Sequence, residues 1–143
     1  MVINMKKCFS LLLAIILCFT FGGVALEANA NQKTMVSPNW TNTTSVNTNL
    51  SFNGVKGICG AYVIGKAGTT QITGTVVLAR KNSNGTYTAI KTWSGLQATG
   101  SMLTFDETYY VATGYTYRLT MTTTVYLNGI GETVSSYFEA YAS

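Results

Sequence analysis

The stretch GYTYRLTMTTTVYLNG, residues 114–129, decides the fold. From Tyr115 every second residue is apolar or small: Tyr115, Tyr117, Leu119, Met121, Thr123, Val125 and Leu127. Between them stand Thr116, Arg118, Thr120, Thr122, Thr124 and Tyr126. Strict alternation is the signature of a strand with one buried and one wet face. Asn128-Gly129-Ile130-Gly131 turns this strand back, and TVSSYFEAYAS follows as the last strand. There Val134, Ser136, Phe138 and Ala140 share one parity, and Tyr137, Glu139 and Tyr141 the other.

Upstream of this pair the same alternation recurs. Val46, Thr48, Leu50 and Phe52 face one way, and Asn47, Asn49, Ser51 and Asn53 the other. Ile58 to Lys66 is apolar at both parities, which predicts a central strand. Ile72, Gly74, Val76 and Leu78 share a face in QITGTVVLARK. Asn82-Ser83-Asn84-Gly85 then separates two β-rich runs, and Asn and Gly tolerate the positive φ of a tight hairpin. SGLQATGS, residues 94–101, reads as a second turn-rich stretch, and Leu103, Phe105, Tyr109 and Val111 alternate inward after it.

Residues 31–143 contain no helix-length run of 3.6 periodicity, and threonine, tyrosine and valine suit a pleated surface. The expectation is an all-β chain: an antiparallel β-sandwich of about seven strands. Its domain spans residues 45–143, after a polar lead-in over 31–44 in which Trp40 tucks onto the body.

The first thirty residues read as a signal peptide. Lys6 and Lys7 form a basic n-region, Phe9 to Phe21 is uncharged and apolar, and Ala28-Asn29-Ala30 presents small residues for cleavage after Ala30. Met5 opens as good a leader as Met1. The thirteen apolar residues fall short of the roughly 20 that a spanning helix needs. The mature protein is therefore expected to be secreted and extracellular, with no membrane segment. No sortase-type signal follows Ser143, so covalent wall anchoring is not expected.

Composition narrows the chemistry. The chain has 143 residues and no histidine, which removes Ser-His-Asp and Cys-His catalysis and the commonest zinc ligand. Beyond residue 30 there are seven basic and four acidic residues, a mild net charge of +3. With no basic run, nucleic acid is not an expected partner. Cys59 is left without an intramolecular partner and alternates with Ala61 and Val63, as a buried inert thiol would.

The order of strands, with a mid-chain hairpin and a tyrosine-rich penultimate strand, resembles immunoglobulin-like and fibronectin type III-like sandwiches. The segment GYTYRLTM is similar to their penultimate strand, which implies a tyrosine-corner role for Tyr115 or Tyr117. The Cys…Trp…Cys framework of antibody domains is absent. The whole chain also resembles the small secreted proteins of Gram-positive bacteria that join a signal peptide to one threonine-rich β domain. That resemblance implies a location and supplies no functional residues.

The expected function is a non-enzymatic binding or surface-interaction module for carbohydrate, cell wall or a protein partner. Its expected surface is the wet face of the last two strands: Arg118, Thr120, Thr122, Thr124, Tyr126, Tyr137 and Tyr141. Tyrosine offers apolar area plus a hydroxyl, which suits such ligands. The alternatives are a small glycan-active hydrolase using Asp106 and Glu132, or a structural protein that assembles through edge strands. No cofactor or metal is expected, because no acidic cluster of calcium-loop type occurs. Lys56 or Lys66 with Asn128 and Glu139 would supply the parts of an intramolecular isopeptide bond.

Overall fold

The alternation of residues 115–127 is expressed as one long strand, and the rest of the sandwich is arranged around it. The computed structural model describes residues 39–143. The proposed signal peptide and most of the lead-in lie outside the described residues. Seven strands follow in order: β1 (Thr43–Asn53), β2 (Lys56–Gly65), β3 (Thr69–Lys81), β4 (Tyr87–Thr99), β5 (Met102–Tyr110), β6 (Tyr115–Leu127) and β7 (Ile130–Ala142). No helix occurs among the described residues. One sheet has the order β1-β2-β5 and the other β4-β3-β6-β7, and every pairing is antiparallel.

Three hairpins use the local chemistry legible in the sequence. Asn128 and Gly129 both adopt positive φ, at 52° and 77°, as a two-residue turn between twisted strands requires. Between β3 and β4 the Asn82 carbonyl accepts from the Gly85 N–H at 3.0 Å. There the Asn84 Oδ1 accepts from the Thr86 N–H at 3.0 Å. Gly54, with φ 57°, turns β1 into β2. The links β2–β3, β4–β5 and β5–β6 pass from one sheet to the other.

The inward rows of both sheets form the core. Leu50, Cys59, Val63, Leu103 and Phe105 of the smaller sheet meet Ile72, Val76, Leu78, Tyr117, Leu119, Met121 and Val125 of the larger. Aromatic pairs bridge the layers. The Trp93 ring lies 5.1 Å from that of Phe105 and 6.2 Å from that of Tyr109, both edge-on, and Phe52 lies 5.5 Å from Tyr117. Such pairs contribute roughly 0.5–1.5 kcal/mol each beyond their buried area.

The tyrosine closest to the expected corner role is Tyr117. It is buried, and its hydroxyl donates to the Ala112 carbonyl at 2.8 Å, upstream of the strand start. Tyr115 departs from the expected inward row. It stands 43 % exposed at the strand end, with the Arg80 guanidinium 4.7 Å over its ring.

One further expectation needs correction. Residues 94–99 are strand, not turn, because β4 continues to Thr99. Ser94 and Gly95 together oppose the single residue Thr75, and Gly95 has φ 72°. The turn-like composition thus encodes a β-bulge inside a strand. β2 is central in its sheet, as expected, and the described residues cover it on one face. Ile58 is 49 % and Tyr62 37 % exposed, because nothing among the described residues packs on the outer side of β1-β2-β5.

Candidate functional site

The outer face of the larger sheet carries every binding residue read from the sequence. The β6–β7 register pairs Thr116 with Tyr141, Arg118 with Glu139, Thr120 with Tyr137, Thr122 with Ser135 and Thr124 with Thr133. Because parity is shared across a ladder, Arg118, Thr120, Thr122, Thr124, Tyr126, Tyr137 and Tyr141 all point the same way. Phe138 takes the other parity and packs against the core. Tyr141 is 61 % exposed, whereas Tyr126 and Tyr137 are half-buried.

Arg118 is held rather than presented. Its Nε donates to Glu139 Oε1 at 2.8 Å, and a second guanidinium nitrogen makes an ion pair with the same oxygen. Its guanidinium carbon lies 3.9 Å from the Tyr87 ring centroid and 4.5 Å from that of Tyr137. Planarity allows arginine to stack and bond in this way at once. Burial alone would raise the Glu139 carboxyl, but hydrogen bonding and the adjacent Arg118 charge outweigh it and hold the group below its ordinary value. Burial, and then the neighbouring Glu139, push the Tyr87 phenol upward. Its enclosed hydroxyl nevertheless meets no partner at good hydrogen-bond geometry. This end of the face is a neutralised, packed cluster.

The threonine end is different. Thr122 and Ser135 pair through their hydroxyls at 3.2 Å, and Thr124 and Thr133 at 3.1 Å. On the other side β3 places Thr75 beside Thr122 and Thr73 beside Thr124. The hydroxyl row therefore extends over three strands. A depression of about 390 Å³ opens at its β3–β4 side, lined by Thr73, Thr75, Gln97, Thr122 and Thr124 around Gly74 and Gly95. Sequence reading missed Thr73 and Thr75. They occupy the wet parity of QITGTVVL, but only the β3–β6 register shows that they continue the Thr122 and Thr124 row.

The two acids of the hydrolase alternative are on different sheets. Asp106 stands on the outer face of β5, opposite Gly60 of β2. Glu132 is on β7 and clamps the lead-in. It accepts from the N–H groups of Thr41, Asn42 and Thr43 at 2.6, 2.9 and 2.9 Å, and from the Thr43 hydroxyl at 2.9 Å. Partial burial would raise its carboxyl, but these four donors lower it below the ordinary glutamate value. Beside it the buried Asn42 amide donates to the Val125 and Ile130 carbonyls at 3.0 and 2.8 Å.

Lys66 donates to the Trp40 carbonyl at 2.8 Å, Glu139 is committed to Arg118, and Asn128 sits in a turn. The parts of an isopeptide bond are thus dispersed. Cys59 is fully buried and free, and burial, with Glu107 nearby, pushes its thiol up to about 11. No group of three or more His, Cys, Asp or Glu side chains placed to hold a metal ion occurs among the described residues.

The class defined by these features is an all-β, two-sheet sandwich whose outer faces no other described strand covers. No protein-family model matches the chain, and no curated protein matches it. Among solved structures it is similar to Spo0M, a sporulation control protein from Bacillus subtilis, at 14 % identity and a TM-score of 0.44. The likeness covers 67 % of this chain and 47 % of Spo0M, so the chain spans about half the length of that protein.

Proposed function

We propose that this chain is a secreted, non-enzymatic binding module of immunoglobulin-like, fibronectin type III-like architecture. It attaches outside a Gram-positive cell to a wall glycan or surface protein through the outer face of β3, β6 and β7. The observation that carries this reading is the three-strand hydroxyl surface of Thr73, Thr75, Thr122, Thr124, Thr133 and Ser135 with its open depression. The strand order β1-β2-β5 against β4-β3-β6-β7, together with the Tyr117–Ala112 bond, supports the architectural part. Secretion rests on Lys6, Lys7, the apolar run from Phe9 to Phe21 and the Ala28-Asn29-Ala30 site.

Co-sedimentation with insoluble Gram-positive cell walls tests it. The protein is expected to pellet with the walls, and Thr75→Glu with Thr122→Glu to leave it in the supernatant at unchanged circular dichroism. A double variant that pellets like the wild type refutes the placement of the surface. Release of soluble sugar ends that Asp106→Asn abolishes replaces the binding reading with the hydrolase.

A further inference from the structure

The opposite sheet carries a second feature, at Gly60. A glycine inside a strand weakens it and needs a reason. Of the described glycines, Gly54, Gly68, Gly85, Gly95, Gly100, Gly114 and Gly129 have positive φ. At Gly57, Gly65, Gly74 and Gly131 an added Cβ would come within 3.0 Å of a neighbouring atom. Gly60 has neither reason. Its φ is ordinary, and an added Cβ would meet only Asp106 Oδ1, at 3.4 Å. The protein itself does not require glycine here.

The absence of a side chain shapes the surface. Gly60 is on the outward parity of central β2, between Asn49 of β1 and Asp106 of β5. The next row along the sheet is Asn47, Tyr62 and Thr104. Together with Met102 these residues line a depression of about 320 Å³ with Gly60 in its floor. Asn47, Asn49, Thr104 and Asp106 are the polar residues of the lining. Tyr62 is 37 % exposed and brings an aromatic side chain to the lining.

We infer that this depression is a binding subsite for a neutral saccharide. A pyranose ring presents an apolar C–H face to an aromatic ring and a rim of hydroxyls that both donate and accept. Tyr62 matches the first, two amides and a hydroxyl match the second, and the Asp106 carboxylate takes hydroxyl donors. Asp106 is the only charged group in the lining, so an anionic sugar is repelled. The site is distinct from the threonine face of the other sheet and stands or falls independently of it.

Titration calorimetry of the full secreted protein with cellotetraose and with tetra-N-acetylchitotetraose tests the inference, alongside polygalacturonate as an anionic control. At least one neutral oligomer is expected to bind, with amide shifts at Asn49, Gly60 and Asp106, while polygalacturonate does not. Tyr62→Ala and Gly60→Val are each expected to weaken binding at least about tenfold. Gly60→Val is expected to keep or raise the melting temperature, because valine suits a strand better than glycine. Gly60→Ala provides the same steric test with the least volume. Failure of both neutral oligomers to bind overturns the inference, as does undiminished binding by Gly60→Val. A large loss of stability in Gly60→Ala does so too, since the glycine would then be structural. Dimerisation of the wild type that Gly60→Val abolishes assigns the depression to a second copy of the chain instead.

Discussion

Thr123 is the one inward residue of β6 whose chemistry contradicts its place. It is 1 % exposed, and its hydroxyl has no hydrogen-bond partner. Its methyl points at Gly74 on β3, where an added Cβ would come within 2.7 Å of it. Apolar Val134 pairs with it on β7, and apolar Met121 and Val125 flank it in the inward row. Thr123→Val keeps the shape and removes the orphan hydroxyl. An unsatisfied buried polar group costs roughly 1–3 kcal/mol, so the variant should gain about 1–2 kcal/mol. For a domain of this size that corresponds to a rise of about 5–10 °C in Tm. Thr123→Ser, which keeps the hydroxyl and deletes the methyl, should instead lose about 1 kcal/mol. Calorimetric and guanidinium unfolding of both variants, with an unchanged denaturant slope, reads the difference. A lower Tm for Thr123→Val, with Thr123→Ser neutral, refutes the reasoning by showing that the hydroxyl is satisfied.

Glu132→Gln should cost about 1–2 kcal/mol, because four donors lose a charged acceptor at a partly exposed site. The folded carboxyl is lowered, so its contribution is present in full above the unfolded value near 4.5 and is lost as pH falls through the folded value. The gap between wild type and variant in thermal melts should therefore be widest at neutral pH and narrow below about pH 4.5; a gap that widens in acid contradicts the assignment. Arg118→Lys should cost about 1–2 kcal/mol, since lysine keeps the charge and loses the stack between Tyr87 and Tyr137. Glu139→Gln in the same background should add little if the two act as one unit, which a double-mutant cycle measures.

Alternation alone located β6, β7 and the inward rows of β1, β3 and β5, because a strand's two faces have period two whatever lies beside them. The turns at Asn82–Gly85 and Asn128-Gly129 were equally legible, since positive φ restricts residue choice locally. The shared face of Arg118, Thr122, Tyr137 and Tyr141 followed from parity on two strands joined by a short turn.

Local pattern failed where a partner decided the outcome. Ser94-Gly95 has the composition of a turn, and only pairing with β3 makes it a bulge. Composition makes β2 apolar at both parities, and only the two-sheet arrangement decides that Ile58 and Tyr62 face outward. The sequence supplied the charges of Arg118, Glu132 and Glu139, but their hydrogen bonds depend on register and on what packs across it. So does the contrast between Gly60 and the other glycines. Whether an added side chain meets open space or a neighbour is a property of atoms distant in the chain, and it exists only once the sheets have formed.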